Sequence, residues 1–425
     1  PIQMKSISIP TGLLLGVALL GAAHGQSFTD VSATSGVVIP ANQAMQLGRG
    51  MSFGDFDGDG EQDLVVPEGV GGLLRYLRNE GNGTFTDQSA AAGFPASGFT
   101  RGVAAADVDN DGDLDLFLAN SYQPDQLFIN DGSASFTEQA TLRGLGHAGG
   151  SWTAAFADFD RDGWIDLYLG NYLAFSGAQE PNILYRNIGN GIFVDVTAAA
   201  GVGNLGLIFT AIWHDYDEDG WPDLFIGNDK GYYPGLPPDT TYRNNGDGTF
   251  TEVGAQIQTL HGAGAMGADF CDAFNDGGWD IFVANIQAGN LFYAWNPQTL
   301  VYDEIAGPLG VAGVSDGWAC YFFDYDNDGW QDLYVVNDLS PNDLFRNPGP
   351  AGGPWIPMAN AAGCAIGGLK YTLTIADFDD DGGIDILQPR TAQTSVFLHN
   401  SGPGGNWIKI HTEGTRSNRS GIGAK

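Results

Sequence analysis

Asp55-Phe-Asp57-Gly-Asp59-Gly60-Glu-Gln-Asp63, running straight into Leu64-Val-Val66, is the stretch on which the reading of this chain turns. The same pattern, an aspartate-rich loop followed at once by a short apolar run, begins again at Asp107, Asp158, Asp215, Asp272, Asp324 and Asp377. The steps are 52, 51, 57, 57, 52 and 53 residues. A period of that size marks a repeat architecture, so one motif carries both a local chemistry and a fold.

The template is Asp-x-Asp-x-Asp-Gly-x-x-Asp. Six copies are complete: Asp55, Asp57, Asp59 and Asp63; Asp107, Asp109, Asp111 and Asp115; Asp158, Asp160, Asp162 and Asp166; Asp215, Asp217, Asp219 and Asp223; Asp324, Asp326, Asp328 and Asp332; Asp377, Asp379, Asp381 and Asp385. Oxygen ligands at alternate positions of a curled backbone suit a hard cation that takes six to eight oxygens at roughly 2.3–2.6 Å. Glycine at position 6 permits the sharp turn. Four carboxylates around one point repel unless a cation sits between them. Calcium fits better than magnesium, which demands rigid octahedral geometry and keeps its waters. No His or Cys stands at a loop ligand position, so zinc and copper are poorly supported. An EF-hand shares the first six positions but needs Glu at position 12. Here position 12 is Val66, Leu118, Leu169, Ile226, Val335 or Gln388, inside the apolar run. The loop therefore closes at nine and feeds a strand.

The fifth copy departs from the template. It contains Asp269, Cys271, Asp272, Phe274, Asp276 and Asp280. Counted from Asp272, position 3 is Phe274; counted from Asp269, an insertion is needed and Cys271 falls there. Either way a carboxylate is missing, and the expectation is a weak or empty site on Asp272, Asp276 and Asp280.

The flanking pattern gives the architecture. In the second repeat, Val103–Ala106 precedes the loop, Leu116–Ala119 follows it, and Gln126–Ile129 forms a third apolar run. Turns such as Asn244-Asn-Gly-Asp-Gly248 lead to a fourth, Thr249–Val253. Asn, Gly and Asp turns between β-branched and aromatic runs are hairpin signals. No segment shows a sustained helical period. Four strands per unit of about 50 residues predict an all-β, seven-bladed β-propeller, with the metal loops between strands one and two of each blade. The last repeat lacks a regular fourth strand, whereas Phe28-Thr-Asp-Val31 matches Phe250-Thr-Glu-Val253. The N-terminal segment is therefore expected to complete the final blade, closing the ring and protecting its edge.

The formal charge is −34, from 51 acidic and 17 basic residues, and 24 of the acids belong to the six complete loops. The acidity is thus mainly metal-site chemistry. No basic patch exists to meet phosphates, so nucleic acid is not an expected partner. Residues 1–25 read as a secretory signal preceded by three extra residues: Met4-Lys5, an apolar core from Leu13 to Ala23, and Ala23-His24-Gly25 before Gln26. The core is too short for a membrane span. Export to the periplasm, cell surface or medium follows. Cys271, Cys320 and Cys364 leave at least one thiol unpaired, and three buried free thiols are expected over one disulfide plus one thiol.

The seven loops with their Leu/Ile strands, and turns of the type Asn187-Ile-Gly-Asn-Gly-Ile-Phe193, resemble the FG-GAP/VCBS repeat propellers, the class that includes the integrin α-subunit head. The resemblance covers about residues 26–405. Residues 406–425 look like the opening of an ASPIC/UnbV domain, which follows such propellers in the cartilage acidic protein group, cut short after about 20 residues, too few to bury a core. The resemblance implies an extracellular, calcium-stabilised module for binding or adhesion and supplies no catalytic residues.

If the loops crowd one face, a ligand is expected on the other. Counting six residues back from each loop gives Arg49, Arg101, Trp152, Phe209, Ala263, Trp318 and Tyr371, taking Asp269 as the fifth reference. These are predicted to ring the central channel. The longest loops after strand two add Tyr172 and Phe175, then Lys230, Tyr232 and Tyr233. Such a set can stack on sugars or hold an acidic peptide or glycan; equally, large side chains can simply plug the channel. Three functions remain open: a non-enzymatic binding or adhesion module for an extracellular glycan or protein, a polysaccharide lyase or hydrolase on the same face, and a structural spacer. The first is favoured, because the only residues at recognisable chemical spacing are metal ligands.

Overall fold

A computed structural model describes residues 26–37, 39, 50–67, 74–94, 99–172, 177–229, 235–313, 315–391 and 393–401. The expected signal segment and residues 406–425 lie outside these. The described residues are all-β apart from single helical turns, built from four-stranded antiparallel sheets in the manner of a β-propeller. Unit three is representative: Ala148–Ala157, Asp166–Asn171, Ile183–Asn187 and Phe193–Asp195 pair in sequence order. Units two and three share one eight-stranded sheet, because Ala148 and Gly150 also pair with Pro124 and Ser121. The last sheet is completed from the other end of the chain. Phe28, Thr29 and Asp30 pair with Asn400, His399 and Leu398.

The second strand of each unit is the most buried, as in Asp166–Asn171, because neighbouring sheets cover both its faces. The cores lie between units rather than within them. Phe56, Val65 and Tyr76 of unit one pack with Leu116, Leu118 and Phe128 of unit two. Leu64, Val66 and Leu77 pack with Phe378, Leu387 and Phe397 of the last unit. No single unit could bury these faces alone. Cys271, Cys320 and Cys364 are all buried free thiols within these cores, as expected.

The sequence did not announce four single helical turns after the fourth strand: Ser89–Ala92, Ala140–Arg143, Thr197–Ala200 and Ala306–Leu309. Each ends on a glycine in the left-handed region, such as Gly144 at φ 87°. One turn is too short to show a period.

A side-chain clasp, also unforeseen, ties every unit but the fifth to its predecessor. At the end of strand three, at the residue whose N–H donates to the last aspartate of the loop, the chain usually has Asn. Asn130 Nδ2 donates to Phe56 O at 2.8 Å, Asn187 to Val108 O at 2.7 Å, Asn244 to Phe159 O at 2.8 Å, Asn347 to Ala273 O at 2.8 Å and Asn400 to Tyr325 O at 2.9 Å. Asn79 Nδ2 donates to Phe378 O at 2.7 Å and so joins the first unit to the last. The fifth unit puts Trp295 at this place, and its ring packs on Tyr216 instead, with centroids 5.5 Å apart. Asn79→Ala strands a buried carbonyl and is expected to cost about 1–3 kcal/mol. Asn296→Ala, one residue beyond the equivalent place, is expected to change stability by less than about 0.5 kcal/mol. Parallel urea titrations of the two variants check this.

Candidate functional site

Each loop is curled by its own first carboxylate. Asp107 Oδ1 accepts from Asp111 N at 3.1 Å and its Oδ2 from Gly112 N at 2.9 Å. Asp158, Asp324 and Asp377 do the same in their loops. Position 4 sits in the left-handed region, at φ 58° in Asn110, 57° in Arg161 and 50° in Asn327. That bend turns positions 1 and 3 toward one point.

Position 9 is a hub between loop and sheet. Asp166 Oδ2 accepts from Phe159 N at 3.0 Å, and its Oδ1 from Asn187 N at 2.8 Å, the residue whose side chain forms the clasp. Asp115, Asp223, Asp332 and Asp385 repeat the arrangement, and Asp63 adds Tyr76 Oη at 2.7 Å. All are buried. Burial pushes these carboxyls up, to about 8 in Asp115, Asp223 and Asp332 and about 9 in Asp166 and Asp385. The backbone donors pull the other way, and neighbouring aspartates add to the rise.

In loops one to four the structure brings positions 1, 3 and 9 together. Ligand oxygens of Asp55, Asp57 and Asp63 lie within 4.8 Å of one another, as do those of Asp107, Asp109 and Asp115, of Asp158, Asp160 and Asp166, and of Asp215, Asp217 and Asp223. Position 5 is not part of these triplets; its Oδ1 accepts from the position 7 N–H, as in Asp162 to Trp164 at 3.0 Å. One atom stands out in each of four loops. Oδ1 of Asp109, Asp160, Asp326 and Asp379 is buried with no hydrogen-bond partner. An orphaned carboxylate oxygen beside two further carboxylates is the environment a divalent cation satisfies, and the all-oxygen sets of loops one to four suit a hard one. Loop seven departs from the expectation of no histidine at a ligand position, because His399 from the third strand joins Asp379 and Asp381.

The fifth loop settles its own frame. Asp272 accepts from Asp276 N and Gly277 N, both at 2.9 Å, and Asp280 accepts from Ala273 N and Trp295 N, both at 3.0 Å. Position 3 is therefore Phe274, which packs on Phe292. Asp269 belongs to the strand before the loop, where its half-buried carboxylate accepts through Oδ2 from Phe322 N at 2.8 Å. The seventh loop holds a residue the sequence reading overlooked. His399, from the third strand, puts Nε2 3.0 Å from Asp379 and 3.3 Å from Asp381.

The far end of strand one forms the channel mouth, and a β-bulge explains it. In units two to six the pairing of strands one and two skips one residue: Arg101, Trp152, Phe209, Met266 and Trp318. A bulge leaves that residue unpaired and re-aims its side chain. All five line a cavity of about 370 Å³, together with Tyr371 and Asp269. The expectation of Ala263 is corrected to Met266, because the true reference is Asp272 and the miscount shifted the register by three. Arg49, Phe175, Lys230, Tyr232 and Tyr233 lie outside the described residues. The following residues are small, and at Gly267 a Cβ would come within 2.9 Å of Ala319 Cα. That close approach keeps the inner strands tight around the axis.

Among the described residues the mouth is a chain of aromatic contacts that includes the guanidinium of Arg101. The Arg101 guanidinium lies 4.4 Å from the Trp152 ring centroid. Trp152 meets Phe209 at 4.8 Å and Tyr172 at 4.9 Å, Phe209 meets Trp318 at 5.9 Å, and Trp318 meets Tyr371 at 4.5 Å. Tyr172 Oη donates to Asp229 Oδ2 at 2.7 Å. Burial lowers the Arg101 pKa to about 10, so it stays charged at neutral pH.

Comparison with known proteins agrees with this geometry. A model of the FG-GAP-like repeat matches residues 55–118, 107–169, 215–283 and 324–387, more than half the chain, and the chain belongs to that family. Cartilage acidic protein 1 of Xenopus tropicalis is 26% identical over 423 residues, covering 86% of this chain and 61% of that protein. The Homo sapiens protein of the same name is 26% identical over 424 residues, covering 86% and 60%. Integrin alpha-8 of Gallus gallus is 26% identical over 227 residues, 45% of this chain and 21% of that one. The chain thus spans about three fifths of the length of these cartilage acidic proteins. Among solved structures, BBS1N in complex with ARL6DN, soaked with lead, superposes with a TM-score of 0.54 at 11% identity, covering 87% of this chain and 96% of that one. At that identity the likeness is one of fold.

Proposed function

We propose that the chain is an exported seven-bladed propeller, stiffened by calcium in six loops, that acts as a binding or adhesion module for an extracellular glycan or protein. The observation that carries the binding part is the run of five bulges that aims Arg101, Trp152, Phe209, Met266 and Trp318 at one mouth. A bulge repeated only to fill space needs no permanent charge, yet one of the five is an arginine stacked on a tryptophan. A guanidinium stacked on an aromatic ring at a cavity wall can recognise a carboxylate or sulfate on a flat, partly apolar ligand, such as an acidic sugar or an acidic peptide. Calcium supplies the positive charge that lets three or four carboxylates share each loop, and the chain's own residues fix their positions. No helix among the described residues is long and apolar enough to cross a membrane.

The contacts between neighbouring rings also favour a second reading, in which the mouth is a plug and the propeller a spacer. Arg101→Ala/Trp152→Ala, compared with the wild type on an array of acidic glycans and peptides, separates the two. The binding reading expects a wild-type signal that falls at least about tenfold in the folded double variant. Equal signals, or none from the wild type, would sink it.

A further inference from the structure

The seven units act as internal controls for one another. In unit one Arg78 faces the loop from strand three, with Nε 2.6 Å from Asp57 Oδ2 and Nη2 2.5 Å from Asp59 Oδ2. In unit three Arg186 pairs at the same place with Asp160 and Asp162, at 2.5 and 2.8 Å. In unit six Arg346 pairs with Asp326 and Asp328, at 2.5 and 2.6 Å. His399 occupies the place in unit seven. Arg243 holds it in unit four and attracts Asp217 electrostatically.

Unit two has Ile129 at that strand position, and the cation comes from elsewhere. Arg143, on a helical turn, puts Nη2 3.0 Å from Asp109 Oδ2. Unit five has Phe274 at loop position 3, and Ala294 stands at the strand position. An arginine, or in unit seven a histidine, is thus present wherever the position 3 carboxylate is, even when a different element must supply it, and missing where that carboxylate is missing.

The oxygens divide the work. In units two, three, six and seven the arginine or histidine takes Oδ2 at position 3, while Oδ1 of Asp109, Asp160, Asp326 and Asp379 is left buried and unpartnered. In units one and four Oδ1 of Asp57 and Asp217 accepts only from the position 5 N–H of its own loop, at 3.2 and 3.4 Å. A simple competitor for the metal would cover that atom. We propose that these arginines and His399 are positioning residues, which hold the position 3 carboxylate, and in units one, three, six and seven the position 5 carboxylate too, by its outer oxygen so that the inner oxygen of position 3 faces the metal. Each one sets the calcium affinity of its own loop. This rests on the calcium reading above.

The test is calorimetric titration of chelator-stripped protein with calcium chloride. The wild type is expected to bind; failure to bind overturns the calcium reading itself and this inference with it. Arg346→Met is expected to weaken one site by about tenfold or more while the others stay unchanged, since groups that orient metal ligands are worth about 10–100-fold in affinity. Arg346→Lys, which keeps the charge but not the fork, is expected to recover part of the loss. Unchanged or tighter binding by Arg346→Met, as removal of a repelling charge alone would give, overturns the proposal. Unit five supplies a gain-of-function arm that does not depend on that variant folding. Phe274→Asp/Ala294→Arg is expected to add a site that binds at least about tenfold tighter than in Phe274→Asp alone; equal affinities in those two proteins would also overturn it.

Discussion

Chelation with EDTA at pH 8 is expected to lower the thermal midpoint by about 10 °C or more relative to millimolar calcium. A ligand that binds only the native state stabilises it by RT ln(1 + [L]/Kd), roughly 1–3 kcal/mol per site at ~10–100-fold saturation. Several such loops act together, and about 1 kcal/mol moves the midpoint of a large domain by roughly 2–4 °C at most. The effect has a pH signature of known sign. Unfolded aspartate titrates at 3.8, whereas the metal-free folded protein holds Asp115, Asp223 and Asp332 near 8 and Asp166 and Asp385 near 9. A raised folded pKa contributes stability that is complete below the unfolded value and lost as pH rises through the folded one. Metal-free protein should therefore melt higher at pH 5.5 than at pH 8. Calcium should help least at pH 5.5, where protons compete for its ligands. Scanning calorimetry in EDTA and in calcium at the two pH values checks both statements. A midpoint indifferent to EDTA at pH 8 would count against occupied loops.

Asp332→Ala is expected to destabilise the protein by about 2–5 kcal/mol even in EDTA. Its carboxylate accepts from Tyr325 N at 3.0 Å and from Asn347 N at 2.8 Å, both buried donors. Leaving each unsatisfied costs about 1–3 kcal/mol. The damage does not stop at one unit, because Asn347 also carries the clasp to Ala273 O. Asp328→Ala, four residues earlier in the same loop, removes a half-exposed pair with Arg346 and an exposed bond from Trp330 N, and should cost less than about 1 kcal/mol in EDTA. Urea titrations of the two variants separate the roles. Equal losses would show that position 9 is no more than another metal ligand.

The repeat, the strand order and the closure by Phe28–Asp30 were legible because each rests on a local pattern that recurs. So was most of the channel mouth, since a fixed count back from the loop lands on the bulged residue. The count failed once, in the fifth unit, where Asp269 imitates a loop aspartate although it sits in a strand and bonds to the next unit. The sequence did show Asn two places before Gly at Asn79, Asn130, Asn187, Asn244 and Asn347. Read locally, it is a hairpin turn. Its second use, holding the preceding unit through Nδ2, is a contact between distant residues such as Asn79 and Phe378, which no window of sequence reveals. The arginines before four of these asparagines were hidden for the same reason. They look like solvent-facing strand residues until the fold sets them against the loops.

The central claim, that these loops are calcium sites, is tested most directly by a crystal structure grown with millimolar calcium and read by anomalous scattering. The expected result is an ion in each of the six complete loops, about 2.3–2.6 Å from the inner oxygen of position 3, and none or a weak one at Phe274. Six loops without an ion, each folded and held by its arginine or histidine alone, would contradict it.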